Sequence, residues 1–277
     1  MYNYHTHTSF CDGRQDAEEI VHKAIELGFK AIGFSGHAPS ALNANWQMKP
    51  EGFIAYKKQI NELRNKYRQL IQIYLGLEAD FITDLASPLD FKNDNLDYII
   101  GSVHFVKSPI VENKYLTIDA SSELYQNGLS NYFDNDVKLL ISEYYKAVNE
   151  MVLNHTPDVI GHLDLVKKFN RNTKFFSENE KWYTAEVEKT VEIISKTKSI
   201  VEVNTRGFYR NLTTEFYPSN YILNLCRELN VPVMINTDTH HSLELTLGKS
   251  EAIDLLKQLK FKSVKILFNN KWQDLEI

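Results

Sequence analysis

The feature that most constrains the fold of this chain is a regular alternation of short apolar segments with longer amphipathic ones. The helical period predicts six helices, at residues 15–27, 51–70, 137–154, 178–196, 219–229 and 248–259. Apolar runs between them predict strands at residues 2–7, 31–35, 71–77, 97–103, 159–163, 200–204 and 231–236, with a last run at 264–268. This order favours parallel strands joined by right-handed helical crossovers. Seven or eight such units indicate an α/β fold, with a closed or distorted barrel rather than an open sheet.

The length of 277 residues suits one such barrel, because barrels of alternating strands and helices typically take roughly 250 residues. Residues 107–135 break the alternation and are too long for an ordinary loop, which indicates an insertion or lid. No internal repeat, low-complexity tract or linker is visible. We therefore predict a single domain over residues 1–277. Ser177 and Glu180 form a capping-box pattern that predicts the start of the fourth helix.

Composition excludes several classes of protein. With 31 basic and 36 acidic residues the formal charge is −5, which counts against a dedicated nucleic-acid binder. The two cysteines, Cys11 and Cys226, offer no disulfide framework and suit a reducing compartment. The start of the sequence has no secretory pattern, and no window approaches the roughly 20 apolar residues that span a bilayer. We expect a cytoplasmic protein with no membrane partner.

Imidazoles and carboxylates recur at the ends of successive predicted strands. In chain order they are His5, His7, His37, Glu78, His104, His162, Asp238 and His240. The carboxyl ends of barrel strands converge on one face, where such folds place their active sites. These side chains are the ligands expected for zinc, manganese or iron. Each residue alone could be a turn residue or a satisfied buried group, but six of nine histidines at strand ends favour a metal site.

The other three histidines are not predicted to be ligands. His22 lies inside the first helix, and His155 comes at a helix end just before Pro157. His241 adjoins His240 but points the other way if the strand continues.

Short motifs spread over nearly the whole chain carry a family resemblance. They are His5-Thr6-His7, Cys11-Asp12-Gly13, Gly36-His37-Ala38, the stretches at 76–80 and 101–105, Gly161-His162 and Asp238-Thr239-His240. In this order they resemble the polymerase and histidinol phosphatase (PHP) superfamily. Gly-Ser-Val-His-Phe at 101–105, His-Leu-Asp-Leu-Val at 162–166 and Asn-Thr-Arg-Gly at 204–207 resemble its histidinol-phosphate phosphatase branch.

The resemblance implies a distorted seven-stranded (β/α)7 TIM-like barrel with three divalent or trivalent metal ions, zinc, manganese or iron, at the carboxyl ends of its strands. The first metal takes His5, His7, Glu78 and Asp238. The second shares Glu78 and adds His104 and His162. The third takes Asp12, His37 and His240. The implied activity is hydrolysis of L-histidinol phosphate to L-histidinol and phosphate, in histidine biosynthesis. The partner is thus a small phosphate monoester rather than nucleic acid.

Further residues are predicted to act on the substrate. A guanidinium matches phosphate oxygens, so Arg206 is the first candidate to bind the phosphate. Neighbouring loops offer Arg171, Lys167 and Arg210 for the same role. Asp12 or His37 is a candidate general acid for the leaving alkoxide. The groups that could select the amine and imidazole of histidinol are Glu112, Asp119, Phe208 and Tyr209.

Three alternatives stay open from the sequence. One is a PHP phosphoesterase that acts on another phosphate ester or on nucleic acid. A second is an amidohydrolase or deaminase, which also uses His-x-His on a first strand but leaves Asp12, His37 and Glu78 unexplained. A third is an inactive barrel kept as a binding module, in which several ligands should have been lost.

Overall fold

A computed structural model describes all residues from 1 to 277. The strands are β1 (Tyr2–Asn3), β2 (Ala31–Phe34), β3 (Gln72–Asp80), β4 (Tyr98–Ser102), β5 (Phe105–Lys107), β6 (Tyr115–Thr117), β7 (Val159–Ile160), β8 (Ile200–Asn204), β9 (Val233–Asn236), β10 (Ser263–Phe268) and β11 (Lys271–Glu276). The helices are α1 (Ala17–Glu26), α2 (Pro50–Tyr67), α3 (Ser122–Phe133), α4 (Val137–Asn154), α5 (Lys181–Ser195), α6 (Arg206–Tyr209), α7 (Asn220–Glu228) and α8 (Lys249–Gln258). No helix has the length and apolar character needed to cross a membrane.

Seven parallel strands form the main sheet, in the order β1-β2-β3-β4-β7-β8-β9. A parallel bridge between Thr6 and Thr239 joins the continuation of β1 to that of β9. The His7 N–H donates to the Thr239 carbonyl at 2.8 Å, and the Thr239 N–H donates to the His5 carbonyl at 3.0 Å. The sheet is therefore nearly closed into a barrel with helices around it, and the predicted TIM-like α/β fold is confirmed.

The helices begin and end where capping chemistry allows. Asp16 precedes α1, and its carboxylate accepts a hydrogen bond from the Glu18 N–H at 2.8 Å. Gly28 follows the helix at a φ of 74°, a conformation that glycine adopts without steric cost. The predicted start of the fourth helix is corrected. Ser177 and Glu180 close a turn, in which the Ser177 N–H donates to Glu180 Oε1 at 3.1 Å, and α5 begins only after that turn.

The segment that breaks the alternation folds as a hairpin followed by a helix. Strands β5 and β6 pair antiparallel, and Ser121 caps α3 by accepting from the Leu124 N–H at 3.1 Å. The apolar side chains of this unit, including Leu116 and Phe133, belong to the same hydrophobic cluster as those of α4. The hairpin begins at Phe105, slightly before the predicted insertion, and the connection from β6 to α3 runs beside the carboxyl ends of the barrel strands.

Aromatic side chains fill the opposite, amino-terminal end of the barrel. Tyr4, Tyr74 and Tyr98 are buried there against the apolar residues of β10. The Tyr4 hydroxyl donates to the Leu267 carbonyl at 2.7 Å, and the Tyr98 hydroxyl donates to the Tyr4 carbonyl. The last apolar run therefore does not extend the parallel sheet: β10 pairs antiparallel with β11 and closes this end of the barrel.

Replacing Gly76 by alanine is expected to lower the free energy of unfolding by about 1–3 kcal/mol, because overpacking a filled core costs about that much. A Cβ at this position would lie 2.2 Å from Tyr98 Cζ, far closer than the roughly 3.5–4.0 Å at which non-bonded carbon atoms pack. The control is Gly52→Ala on α2, where an added Cβ meets nothing within 4 Å. It should leave stability unchanged or raise it by up to about 1 kcal/mol. Urea denaturation measures both, and equal stability of the two variants contradicts the packing described.

Candidate metal centre

The predicted metal ligands converge on the carboxyl ends of the strands. His5 and His7 follow β1, His37 follows β2, and Glu78 lies within β3. The remaining predicted ligands follow strands β4, β7 and β9, or lie in the loop after β1: they are His104, His162, Asp238, His240 and Asp12. All are buried except Asp12, whose side chain is 34% exposed. The structure thus brings together all nine residues that the sequence singled out.

Glu78 lies at the centre of the cluster and is 1% exposed. Its Oε2 atom is 3.0 Å from His37 Nδ1, 3.2 Å from His5 Nε2 and 3.5 Å from His7 Nε2. Its Oε1 atom is 3.0 Å from His162 Nε2 and 3.7 Å from His104 Nε2. The two oxygens of one carboxylate therefore face two different groups of imidazoles, which is the arrangement of a ligand shared by two cations.

Two further carboxylates complete the cluster on the side of His7 and His240. Asp238 Oδ1 lies 3.2 Å from His7 Nε2 and 3.7 Å from His5 Nε2. Asp12 Oδ2 lies 3.1 Å from His240 Nε2. Three sets of donor atoms are each compact enough to hold one ion: His5, His7 and Asp238; His37, Glu78 and His104; and His7, Asp12, His37 and His240.

The donor atoms fit metal ions because several of them are buried without a hydrogen bond. They are His5 Nε2, His7 Nε2, His37 Nδ1, Glu78 Oε2, His162 Nδ1 and Asp238 Oδ1. Buried polar atoms normally find a partner, and leaving one unpaired costs about 1–3 kcal/mol. All of these atoms except His162 Nδ1 point to one another around the cluster, so cations coordinated there would satisfy them together.

Without a cation, the imidazoles of the cluster keep its buried carboxylates ionised. Burial alone would raise the pKa of Glu78, but the imidazoles of His37 and His5 hold that pKa well below its usual value. The pKa of Asp238 is likewise held low against burial, chiefly by His5 and His7. Burial, together with the neighbouring His240 and His37, lowers the pKa of His7 to about 3. His7 is therefore a neutral imidazole with a free lone pair.

Sequence reasoning missed two buried carboxylates behind the ligands. Glu202 Oε1 lies 2.7 Å from His5 Nδ1, and Glu202 Oε2 accepts from the His162 N–H at 3.0 Å. Asp80 Oδ1 lies 2.6 Å from His104 Nδ1, and its other oxygen accepts from Gln47 Nε2 at 2.7 Å. Such partners fix the tautomer and ring orientation of metal-binding histidines. Two signals were available: Glu202 interrupts an otherwise apolar strand, and Asp80 shares a strand face with Glu78.

A cavity of about 460 Å³ opens onto this cluster of imidazoles and carboxylates. Besides the predicted ligands, its charged lining residues are Arg206, Arg210, Lys168 and Asp119. Trp46 contributes an aromatic wall and stacks on Phe105 with ring centroids 5.6 Å apart. Lys168 Nζ donates to the backbone carbonyl of Asp119 at 2.8 Å and also contacts its carboxylate. This pair joins the inserted segment to the barrel at the cavity wall.

Several predicted substrate residues lie elsewhere. Lys167 is 5% exposed, and its Nζ lies 3.0 Å from carboxylate oxygens of Asp164 and Glu178. Arg171 donates to the Asn211 carbonyl at 3.3 Å and does not line the cavity. The prediction that these two cations bind phosphate is therefore corrected, because one is held in a buried ion pair and the other lies outside. Three of the candidate selectivity residues also lie outside the cavity lining, namely Glu112, Phe208 and Tyr209.

The three histidines that were set aside do contact other groups. His22 Nε2 lies 2.6 Å from the Tyr67 hydroxyl, and His155 Nδ1 lies 2.7 Å from Ser87 Oγ. His241 Nδ1 accepts a hydrogen bond from the Leu243 N–H at 3.2 Å. None of them belongs to a set of donors that could hold an ion.

Asp80→Asn is expected to weaken metal binding roughly 10- to 100-fold, because loss of a carboxylate behind a histidine ligand typically has that effect. Competition with a chromogenic chelator measures the affinity. The matched control is Asp84→Asn, which removes a carboxylate that is 64% exposed and contacts Lys107. An affinity in the Asp80 variant equal to that of the control would show that the carboxylate does not support His104.

Comparison with known proteins agrees with this geometry. A family model for the PHP domain matches residues 3–206. A probable histidinol-phosphatase of Schizosaccharomyces pombe is 29% identical over 252 residues, which cover 85% of this chain and 79% of that protein. A Listeria monocytogenes structure assigned as a histidinol phosphatase has a TM-score of 0.80 and 26% identity, and the match covers 91% of this chain and 99% of that one.

A histidinol phosphate phosphatase from Lactococcus lactis, solved with zinc, L-histidinol and phosphate, has the same fold. Its TM-score is 0.70 at 21% identity, and the match covers 98% of each chain. Because the family model spans well over half of the sequence, this chain belongs to the PHP domain family.

Proposed function

We propose that this chain is a metal-dependent histidinol-phosphate phosphatase, which hydrolyses L-histidinol phosphate to L-histidinol and phosphate. The observation that carries this proposal is the buried cluster of imidazoles and carboxylates beneath a cavity that Arg206 and Arg210 also line. Cations bound at this cluster, together with the neighbouring guanidiniums, would match the negative charge of a phosphate monoester. Relatives named as histidinol-phosphatases support the choice of ester.

The donor set is proposed to hold three ions, chosen from zinc, manganese and iron. His5, His7 and Asp238 serve the first, and His37, Glu78 and His104 lie around another. Asp12 and His240 complete a third position with His7 and His37, while His162 reaches the cluster through Glu78. Cations bound here supply a water of lowered pKa and neutralise phosphoryl oxygens.

Arg206 is proposed to hold the phosphate. Its guanidinium contacts the surrounding protein through Nη1, which donates to the Asp238 carbonyl at 2.9 Å and to the Tyr209 hydroxyl at 3.1 Å. The remaining nitrogens of a guanidinium on the cavity wall are free to donate to an anion. Arg210 and Lys168 add positive charge to the same wall.

The leaving alkoxide requires a proton. Asp12 and His37 line the cavity, and because both are assigned to cations here, they are proposed to orient a water that supplies the proton. Asp12 has the most exposed side chain of the nine donors, and against the effect of burial the neighbouring imidazoles hold the pKa of its carboxyl well below the usual value, so it is an ionised acceptor that such a water can reach. At the mouth, the Asp119 carboxylate is suited to the amine of histidinol, and the Trp46 ring is suited to its imidazole.

In a phosphate-release assay, L-histidinol phosphate should be hydrolysed faster than other monoesters and faster than single-stranded DNA. Removing the metals with a chelator should abolish turnover, and adding back zinc, manganese or iron should restore it. Faster hydrolysis of single-stranded DNA would instead favour a nuclease, and metal-independent turnover would overturn the proposal altogether.

His7→Ala and Glu78→Ala should each lower kcat by at least about a thousandfold while the fold persists, since losing a central ligand removes a cation from the reacting centre. Circular dichroism and thermal unfolding check the fold. The matched controls are His22→Ala and Glu62→Ala, which lie on the outer helices α1 and α2. Phosphate release at the wild-type rate by either ligand variant would contradict the proposed role of the cluster.

A further inference from the structure

A carboxylate lies behind the two cavity arginines without lining the cavity itself. Glu244 is 9% exposed and belongs to the short 3₁₀ turn Ser242–Glu244, which follows the last metal ligands. Its Oε2 atom lies 3.3 Å from Arg206 Nη1, and its Oε1 atom lies 3.6 Å from Arg210 Nη1. One buried carboxylate therefore contacts both guanidiniums, one through each oxygen.

The same carboxylate also contacts the backbone of a predicted metal ligand. Glu244 Oε2 accepts a hydrogen bond from the backbone N–H of His240 at 2.9 Å. The Arg206 Nη1 atom that reaches Glu244 also donates to the carbonyl of Asp238. Glu244 and the backbone of Asp238 thus hold one nitrogen of the Arg206 guanidinium next to the cluster, and its other nitrogens stay available to the cavity.

The charges explain why a carboxylate is needed at this place. Arg206 and Arg210 line the same cavity and carry like charges, which repel each other; their side chains are 24% and 42% exposed. A single anion between them offsets that repulsion and leaves one net positive charge facing the cavity. A glutamate deeper in the protein achieves this without placing a negative group on the surface that the phosphate approaches.

We propose that Glu244 is a positioning residue that holds the Arg206 and Arg210 guanidiniums together to receive the phosphate of the substrate. This inference rests on the proposed function only in taking a phosphate monoester as the ligand. Glu244 contacts neither the cavity nor a ligand side chain, so it acts on the substrate through the arginines. A merely structural ion pair would change stability without changing phosphate affinity.

The test is E244Q, which keeps the size of the side chain and removes its charge. In the metal-loaded enzyme, KM and the inhibition constant for inorganic phosphate should both rise about tenfold, while kcat and metal content stay near wild-type values. The matched control is E251Q, on the exposed face of α8, where the carboxylate contacts only the neighbouring Ser250. Unchanged phosphate affinity in E244Q overturns the proposal.

Two further measurements separate the possible explanations. Calorimetry measures the affinity of the metal-loaded protein for inorganic phosphate, and this affinity depends on the arginines whichever ester the enzyme hydrolyses. The test therefore stays valid even if L-histidinol phosphate is not the substrate. If E244Q loses metal content in proportion to its loss of phosphate affinity, Glu244 acts through His240 and the proposal is wrong.

If E244Q does not fold, E244D is the second variant, because it keeps the charge but shortens the side chain. A severalfold loss of phosphate affinity is then expected. Wild-type affinity in E244D then overturns the proposal.

Discussion

The interaction on which this structure depends is the burial of the Glu78 carboxylate among five imidazoles. The nearest ring nitrogens lie between 3.0 and 3.7 Å from its two oxygens and belong to His5, His7, His37, His104 and His162. Burying an ionised carboxylate is costly unless it is paired or coordinated. The rings are held by the ends of separate strands, and Glu202 and Asp80 orient two of them from behind. Ligand geometry is therefore set by the barrel and its buried hydrogen bonds rather than by surface loops.

Backbone strain at two of the predicted ligands adds to the free-energy cost of this arrangement. His162 has a φ of 21° and Asp238 a φ of 51°, both in a region that residues with a Cβ rarely adopt. Strained residues of this kind cost about 1–3 kcal/mol each and persist where the surroundings determine them. Here the surroundings are the Glu202 carboxylate at the His162 N–H and the closing bridge at Thr239. The aromatic residues at the opposite end of the barrel supply packing that is independent of the cluster.

Most of the barrel and eight of the nine donors could be predicted from local patterns in the sequence, whereas Asp12 was predicted only from the family resemblance. Strand ends converge in any parallel barrel, so a histidine such as His104 that ends an apolar run is placed by periodicity alone. The positions of Lys167 and Lys168 could not be predicted this way. They lie at a short 3₁₀ turn, where the sequence has no repeating pattern that would show which of the two ammonium groups faces the cavity. Lys167 points into the protein because it pairs with the buried carboxylate of Asp164, and that contact is visible only in the structure. Glu244 was missed for a similar reason, since its contacts come from long-range packing.

The residues proposed to act on the phosphate and the residues at the mouth of the cavity come from different elements of the fold. Groups proposed to act on the phosphate come from strand ends and the short helix α6, whose positions the barrel fixes through backbone hydrogen bonds. Groups at the mouth come from the loop that carries Trp46 and from the inserted segment that carries Asp119. The Gln47–Asp80 hydrogen bond and the Lys168–Asp119 pair join these two regions to the barrel, and the inserted segment also packs on α4. Neither Trp46 nor Asp119 is one of the nine donors. Changes in them can therefore alter which ester is accepted without disturbing the metal cluster, whereas changes at the strand ends cannot.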